Sequence, residues 1–190
     1  MQKEIIMASD NKSKIKETQQ ILNEYKIIPI SEVGIDIDIE ENEDTFEKNA
    51  KKKAENIAKK LKGKMCIADD SGIEIEFLDG FPGVYTKRWY KGTDRERNLA
   101  IIDKLKGISK KDRKITFVTA IAVSDGKNTI AVIGKINGYV AEKPKGENGF
   151  GFDDIFELEN GKTLAELSYD EKNEISARKK ALELLKEKMF

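Results

Sequence analysis

Histidine is absent from the 190 residues, and cysteine occurs once, at Cys66. The first absence removes every scheme that moves a proton through an imidazole, Ser-His and Cys-His nucleophile pairs included, and every zinc site built on imidazole. The second excludes an internal disulfide and a thiolate metal cluster within one chain. Cys66, set between Met65 and Ile67, reads as a core residue. Net charge is missing too: Lys+Arg and Asp+Glu stand at 35 each. No overall field therefore draws the chain to nucleic acid or to an anionic membrane. No apolar run reaches the length of a membrane span, and the one in "MQKEIIMASD" is too short for a signal peptide. These absences predict a cytoplasmic protein with neither nucleic acid nor membrane as partner. Repeats, low-complexity tracts and Pro/Gly-rich linkers are lacking as well, so residues 1–190 read as a single domain, or as two closely joined lobes. The chemistry left to such a chain uses carboxylates, lysine, arginine, hydroxyls, backbone amides and a hard metal ion.

What is present is an interleaving of strand-like and helix-like segments. "KEIIMAS" reads as a buried strand ending in a turn at "SDNKSK", followed by a helix with Ile15, Thr18, Leu22 and Tyr25 at spacings of three and four. "YKIIPI" reads as a strand that Pro29 places at an edge or brings to an end, and "GIDIDIEE" as a strand with one wet face. Phe46, Ala50, Ala54, Ile57 and Leu61 share a face, which predicts a helix over 44–61 capped by Asp44 or Thr45. "KMCIADD" and "IEIEFL" are strand candidates flanking Ser71-Gly72, and 93–105 reads as a helix. "KITFVTAIAVSDG" and "NTIAVIGKINGYVAE" are the longest β-like runs, joined by a turn at Asp125-Gly126. Ser168 and Glu171 in "SYDE" form a capping box that opens one last helix. Early alternation and a later hairpin predict an α/β fold with a mixed, twisted sheet.

Several charges sit against this pattern. Arg178 fills the slot between Ile175 and Leu182 on the last helix, Lys53 lies on the inward side of the second helix, and Lys14 stands at the first turn of the first. Each alone fits a long side chain snorkelling from the edge of an apolar face; the three together fit a basic pocket. "SDNKSK" joins a strand to a helix, and reads either as an ordinary turn capped by Asn11 or as an anion site at a helix N-terminus. Asp69-Asp70, placed by this reading at a strand end, and Glu40-Glu41 offer oxygens for Mg²⁺, although "EENED" also reads as a solvated acidic loop. In "GFGFDD" the rings of Phe150 and Phe152 either anchor a core or stack on a nucleobase. Trp89 and Tyr90 read as an exposed or interfacial patch, for a second copy or for substrate.

Five segments in order, "ASDNKSKIKE", "EENEDTFEKNAKKKA", "IADDSGIEIEFLDGFPGVY", "NGFGFDDIF" and "KTLAELSYDEKNEISARKKAL", resemble the inosine/xanthosine triphosphate pyrophosphatases, house-cleaning hydrolases of non-standard purine nucleotides. The resemblance runs from residue 8 to about 182. It implies an elongated mixed sheet with flanking helices and two lobes around a central cleft, a homodimer, and Mg²⁺-dependent hydrolysis of a purine nucleoside triphosphate to monophosphate and pyrophosphate. Ser9, Asp10, Asn11, Lys12, Ser13 and Lys14 are then expected at the triphosphate, joined by Asn49 and Lys53. The metal falls to Glu40, Glu41, Asp69 and Asp70, with Asp70 also taking the proton of the attacking water, Lys14 and Lys53 assisting, and Ser71 touching substrate. Phe150, Gly151, Phe152 and Asp153 make the base-reading loop, and Lys172, Ser176, Ala177 and Arg178 complete the base pocket. Arginine only donates, so Arg178 favours the O6 acceptor of hypoxanthine or xanthine over the amino group of adenine. The chain departs from the family where Ala177 replaces a usual histidine, Phe152 a tyrosine or tryptophan, Asp154 a proline, and Asp10 a frequent glycine. Two alternatives stand beside this reading: a Maf-type pyrophosphatase acting on other modified or pyrimidine nucleotides, and a nucleotide-binding regulator without catalysis.

Overall fold

Two short strands and two helices come first, and their caps show why each helix begins where it does. In the computed structural model, residues 2–34 and 41–189 are described; Glu40 and all but the ends of "GIDIDIEE" lie outside them. β1 (Lys3–Met7) leads to α1 (Lys12–Ile21) and then to β2 (Tyr25–Pro29). Asn11 caps α1, its Oδ1 accepting from the amides of Ser13 (3.0 Å) and Lys14 (3.2 Å). Tyr25, which its spacing assigns to the helix, belongs to β2 because α1 ends at Ile21. β1 and β2 run parallel, from Lys3 opposite Tyr25 to Met7 opposite Pro29, so the proline sits at the end of an edge strand. α2 (Phe46–Lys60) starts at Thr45, whose hydroxyl accepts from the Lys48 amide at 3.2 Å.

The remaining elements are β3 (Cys66–Ile75), α3 (Asp94–Lys104), β4 (Lys114–Ser124), β5 (Thr129–Val140), β6 (Phe156–Glu157), α4 (Tyr169–Ile175) and α5 (Ala177–Met189). Among the described residues six strands form one mixed sheet in the order β2-β1-β3-β4-β5-β6, parallel from β2 to β3 and antiparallel between β5 and β6. Two sequence expectations change here. β3 runs unbroken through Ser71 and Gly72, so Asp69 and Asp70 lie inside a strand and not at its end. The single last helix is two, because Ser176 adopts extended backbone (φ −67, ψ 148) between α4 and α5. The predicted capping box at Ser168 and Glu171 does open α4.

The chain divides into two compact units: 1–71 with 119–134 and 177–190, and 72–118 with 135–176. The break at Ser176 is therefore also a boundary between them. In the first unit, Ile5, Met7, Ile27, Ile67, Ile121 and Val123 from the strands meet Leu22, Ala181, Leu182 and Leu185 in one apolar core. Cys66 is fully buried, and burial pushes its thiol up to about 12, which suits packing and not nucleophilic chemistry. In the second unit, Trp89 packs edge-on to Phe81 with ring centroids 5.0 Å apart. Tyr85 is the more exposed neighbour. No described helix is long and apolar enough to cross a membrane.

Two substitutions test this packing. A Cβ on Gly134 of β5 would fall 2.0 Å from the carbonyl oxygen of Ala177 and 2.6 Å from the Ala181 nitrogen. Gly134→Ala is expected to cost about 3 kcal/mol, the upper end of ordinary overpacking, since both obstacles are backbone. That corresponds to a melting point roughly 6–12 °C lower; a calorimetric shift near zero would refute the close approach. In the second unit, Lys145 Nζ (2.7 Å) and Lys110 both pair with Glu157. Burial pushes the Glu157 carboxyl up, but the two lysines outweigh it and hold it below its usual range. Its stabilisation is thus complete above the unfolded value of about 4.3 and lost as pH falls through the lowered folded value. Melting curves of Glu157→Gln should lie below the wild type at pH 7 and converge on it as pH falls through the lowered folded value; a constant gap would contradict the pairing.

Candidate active site

Successive side chains of a strand point to opposite faces, and β3 uses this to separate two adjacent carboxylates. Asp69 and Ser71 share one face, where Ser71 Oγ stands 3.4 Å from Asp69 Oδ2. Onto that face α1 brings Lys14, whose Nζ donates to the same oxygen at 2.8 Å, and α5 brings Arg178, whose Nη1 lies 3.0 Å from it. Arg178 Nε in turn pairs with Glu17 Oε2 at 3.1 Å. Burial alone would push the Asp69 carboxyl up; Arg178, Lys14 and Lys53 outweigh it and hold it well below the carboxylate range. Asp69 is therefore ionised and engaged by cations, which sets it apart from its neighbour Asp70. Ser71 Oγ also lies 3.1 Å from Thr119 Oγ1 on β4.

Asp70 faces the other way. Its Oδ2 accepts from the buried Asn49 of α2 at 2.9 Å, and its Oδ1 from the Ser71 amide at 3.0 Å. Lys53, one turn further along α2, bonds Glu41 and donates to the Asp69 carbonyl at 3.1 Å. The Asp70 carboxyl is pushed up, by burial first and then by the neighbouring Glu41, with Asn49 and Lys53 only partly opposing. Glu41, Asp69 and Asp70 thus come together with Lys14, Lys53 and Arg178 in the first unit. Each Asp70 oxygen keeps a lone pair, and its charge, beside Glu41, is of the kind a divalent cation offsets. Among the described residues no group of three or more Asp, Glu, Cys or His converges as a metal set. One or two carboxylates suffice for Mg²⁺ when waters and substrate phosphates complete the shell, so Asp70 and Glu41 fit that ion. Glu40 lies outside the described residues.

At the start of α1, Ser9 Oγ accepts from the Asn11 amide at 3.2 Å, and the Asn11 side chain takes the amides of Ser13 and Lys14. Asp10 turns aside, its Oδ1 accepting from the Ser31 amide at 3.1 Å. Lys12 is exposed. Ala177 and Arg178 open α5, both buried, with the guanidinium on Asp69 and Glu17.

The second unit holds the other cluster. Gly149 and Gly151 take φ of +81 and +66, and between them Phe150 is 54% exposed, while Phe152 is 4% exposed. The ring available for stacking is therefore Phe150, and Phe152 serves as the anchor of the turn. Asp153, buried, accepts from the Phe150 amide at 2.8 Å and from Lys172 of α4, whose Nζ lies 4.6 Å from the Phe150 ring centroid. A Cβ on Gly149 would come within 2.2 Å of Asp153 Oδ2, so this position requires glycine on two counts. Ser176 ends α4. Sequence reasoning missed Glu17, Thr119 and the α3 residues Asp94 and Asn98, which contact the turn. The signal for Asn98 was its register: it precedes Ile101 and Leu105 by three and seven residues, in an apolar stripe.

The sequence profile of the Ham1 family matches residues 5–188. A Bacillus subtilis protein named dITP/XTP pyrophosphatase is 47% identical over 190 residues, covering 96% of this chain and 95% of its own. A Clostridium perfringens protein of the same name is 41% identical, covering 98% and 97%. Solved Ham1 structures from Coxiella burnetii and Staphylococcus aureus superpose with TM-scores of 0.90 at 38% and 40% identity, each covering 98% of both chains. With a profile match across both compact units and such relatives over nearly its whole length, the chain belongs to the Ham1 family.

Proposed function

We propose that this chain hydrolyses non-standard purine nucleoside triphosphates such as ITP, dITP and XTP to the monophosphate and pyrophosphate, with Mg²⁺ as cofactor. The observation that carries the proposal is the pairing, in one unit, of a buried carboxylate that cations only partly compensate, Asp70, with Lys14, Lys53 and Arg178 gathered around its neighbour Asp69. A triphosphate brings the charge that the two lysines are suited to meet, and phosphoryl transfer depends on positioning and charge neutralisation more than on covalent chemistry. Asp70 and Glu41 would hold the cation, with Glu40 a further candidate, and a bound Mg²⁺ would supply positive charge to offset that of the triphosphate.

Asp70 accepts the proton of the water that attacks the α-phosphorus, and pyrophosphate leaves. Asn49 and the Ser71 amide orient its carboxylate for this by fixing both oxygens. Lys14 and Lys53, with Ser9, Asn11, Lys12 and Ser13, are assigned to the phosphates, and Ser71 to a substrate contact. Phe150 is assigned to stacking on the base, Asp153 and Lys172 to reading its edge, and Gly151 to the turn that carries the ring. Ser176 and Arg178 are also assigned to base recognition, as the family resemblance implies. The profile match across both units supports treating the whole chain as one functional domain. Family membership further supports a cytoplasmic homodimer.

Pyrophosphate release from ITP, XTP, GTP and dTTP tests the substrate class: ITP and XTP are expected to turn over fastest, and equal or faster turnover of dTTP would count against the proposal. Asp70→Asn keeps an acceptor for Asn49 but removes the base, and should lower kcat for ITP by about a hundred- to ten-thousand-fold. Unchanged Mg²⁺-dependent turnover in that variant would remove Asp70 from the reaction.

A further inference from the structure

We propose that Asp94 and Asn98 of α3 are positioning residues for base recognition, because together they fix the Gly149–Asp154 turn that presents Phe150. The inference rests on the reading that this turn meets the base. Asn98 is buried at 1% exposure. Its Nδ2 spends both protons on the turn, one on the Gly151 carbonyl at 2.7 Å and one on Asp154 Oδ1, while its Oδ1 is buried without a hydrogen-bond partner. An Asn with one end unpaired is costly inside a protein, and an apolar residue at this register would avoid the cost. What the amide supplies is a link between the two ends of the segment 151–154.

Asp94 completes the grip. It lies four residues before Asn98, on the same side of α3. Its Oδ2 accepts from the Gly151 amide at 3.1 Å, while its Oδ1 pairs with Arg97 at 2.9 Å. Both polar groups of Gly151 are thus held from one helix. At Gly151, with φ at +66 and no side chain to pack, these two hydrogen bonds restrain a backbone that is intrinsically permissive. Immediately before it, the Phe150 amide is held by Asp153 and the Phe150 ring lies beside Lys172. Phe150 is consequently an exposed ring on a backbone restrained from both sides. A restrained ring forfeits little order when a base stacks on it, so the restraint contributes to affinity and discrimination without touching the ligand.

The test compares Asn98→Ala and Asp94→Ala with wild type in two measurements. Amide hydrogen exchange of peptides covering 148–155 should speed up in Asn98→Ala. In kinetics, Asn98→Ala should raise KM for ITP about tenfold, as expected for the loss of two ordering hydrogen bonds, with kcat changed less than about threefold. The ratio of kcat/KM between ITP and GTP should shrink with it. Asp94→Ala, an exposed site that folding tolerates, should show the same changes at about threefold in KM. Asp154→Asn, which keeps the acceptor oxygen, should stay near wild type, and Asp154→Leu should resemble Asn98→Ala. Wild-type exchange in the Asn98 and Asp94 variants would overturn the proposal, as would equal losses for every substrate with the ITP-to-GTP ratio intact. If wild type itself fails to hydrolyse ITP, the substrate reading fails, and the exchange data still decide the positioning.

Discussion

The alternation of side chains along β3 is the constraint on which the first cluster depends. Two adjacent carboxylates on a loop would share solvent and repel each other; in an extended strand they part to opposite faces. Asp69 then meets Lys14 and Arg178 from α1 and α5, and Asp70 meets Asn49 from α2. The same backbone step gives them opposite electrostatics. Cations around Asp69 hold it ionised, while burial and Glu41 push Asp70 the other way. One carboxylate becomes part of a fixed, charge-compensated wall, and its neighbour keeps the unmet charge suited to a metal ion and a proton. A bulge or a one-residue slip in β3 would exchange these roles, which is why an unbroken strand through Ser71-Gly72 matters more here than two shorter ones.

Much of this was legible in the sequence because charge in an apolar register is a visible anomaly. Arg178 falls where α5 would otherwise carry a core residue, and the structure buries it on Asp69 and Glu17. Lys53 stood out for the same reason and reaches both Glu41 and the Asp69 carbonyl. Helix starts were readable from caps at Asn11, Thr45 and Ser168, since the capping side chain lies within three residues of the amide it serves.

What was not legible depends on contacts distant along the chain. Periodicity continues smoothly through "NEISARKKAL", so the break at Ser176 leaves no mark in the pattern; it appears only where β5 approaches α5 at Gly134 and the chain passes from one unit to the other. The two phenylalanines of "GFGFDD" look alike in sequence, yet one is core and one is exposed, a choice made by the left-handed glycines on either side of Phe150. Asn98 was a polar residue in an apolar stripe, the same kind of anomaly as Arg178. It carries no charge, and its partners lie more than fifty residues away.

The two clusters are built from different physics, and this bears on how each can change. The first is a balance of formal charges in buried surroundings, where removing one member leaves its partner uncompensated, so substitutions there act strongly and not additively. The second is a glycine turn held by neutral or half-buried hydrogen bonds from α3 and by Asp153 and Lys172 from within and beyond it. Its members act through geometry, so their loss shifts the placement of Phe150 by degrees. A chain arranged in this way can alter the placement of Phe150 through α3 and its turn while the charged cluster around Asp69 and Asp70 stays as it is.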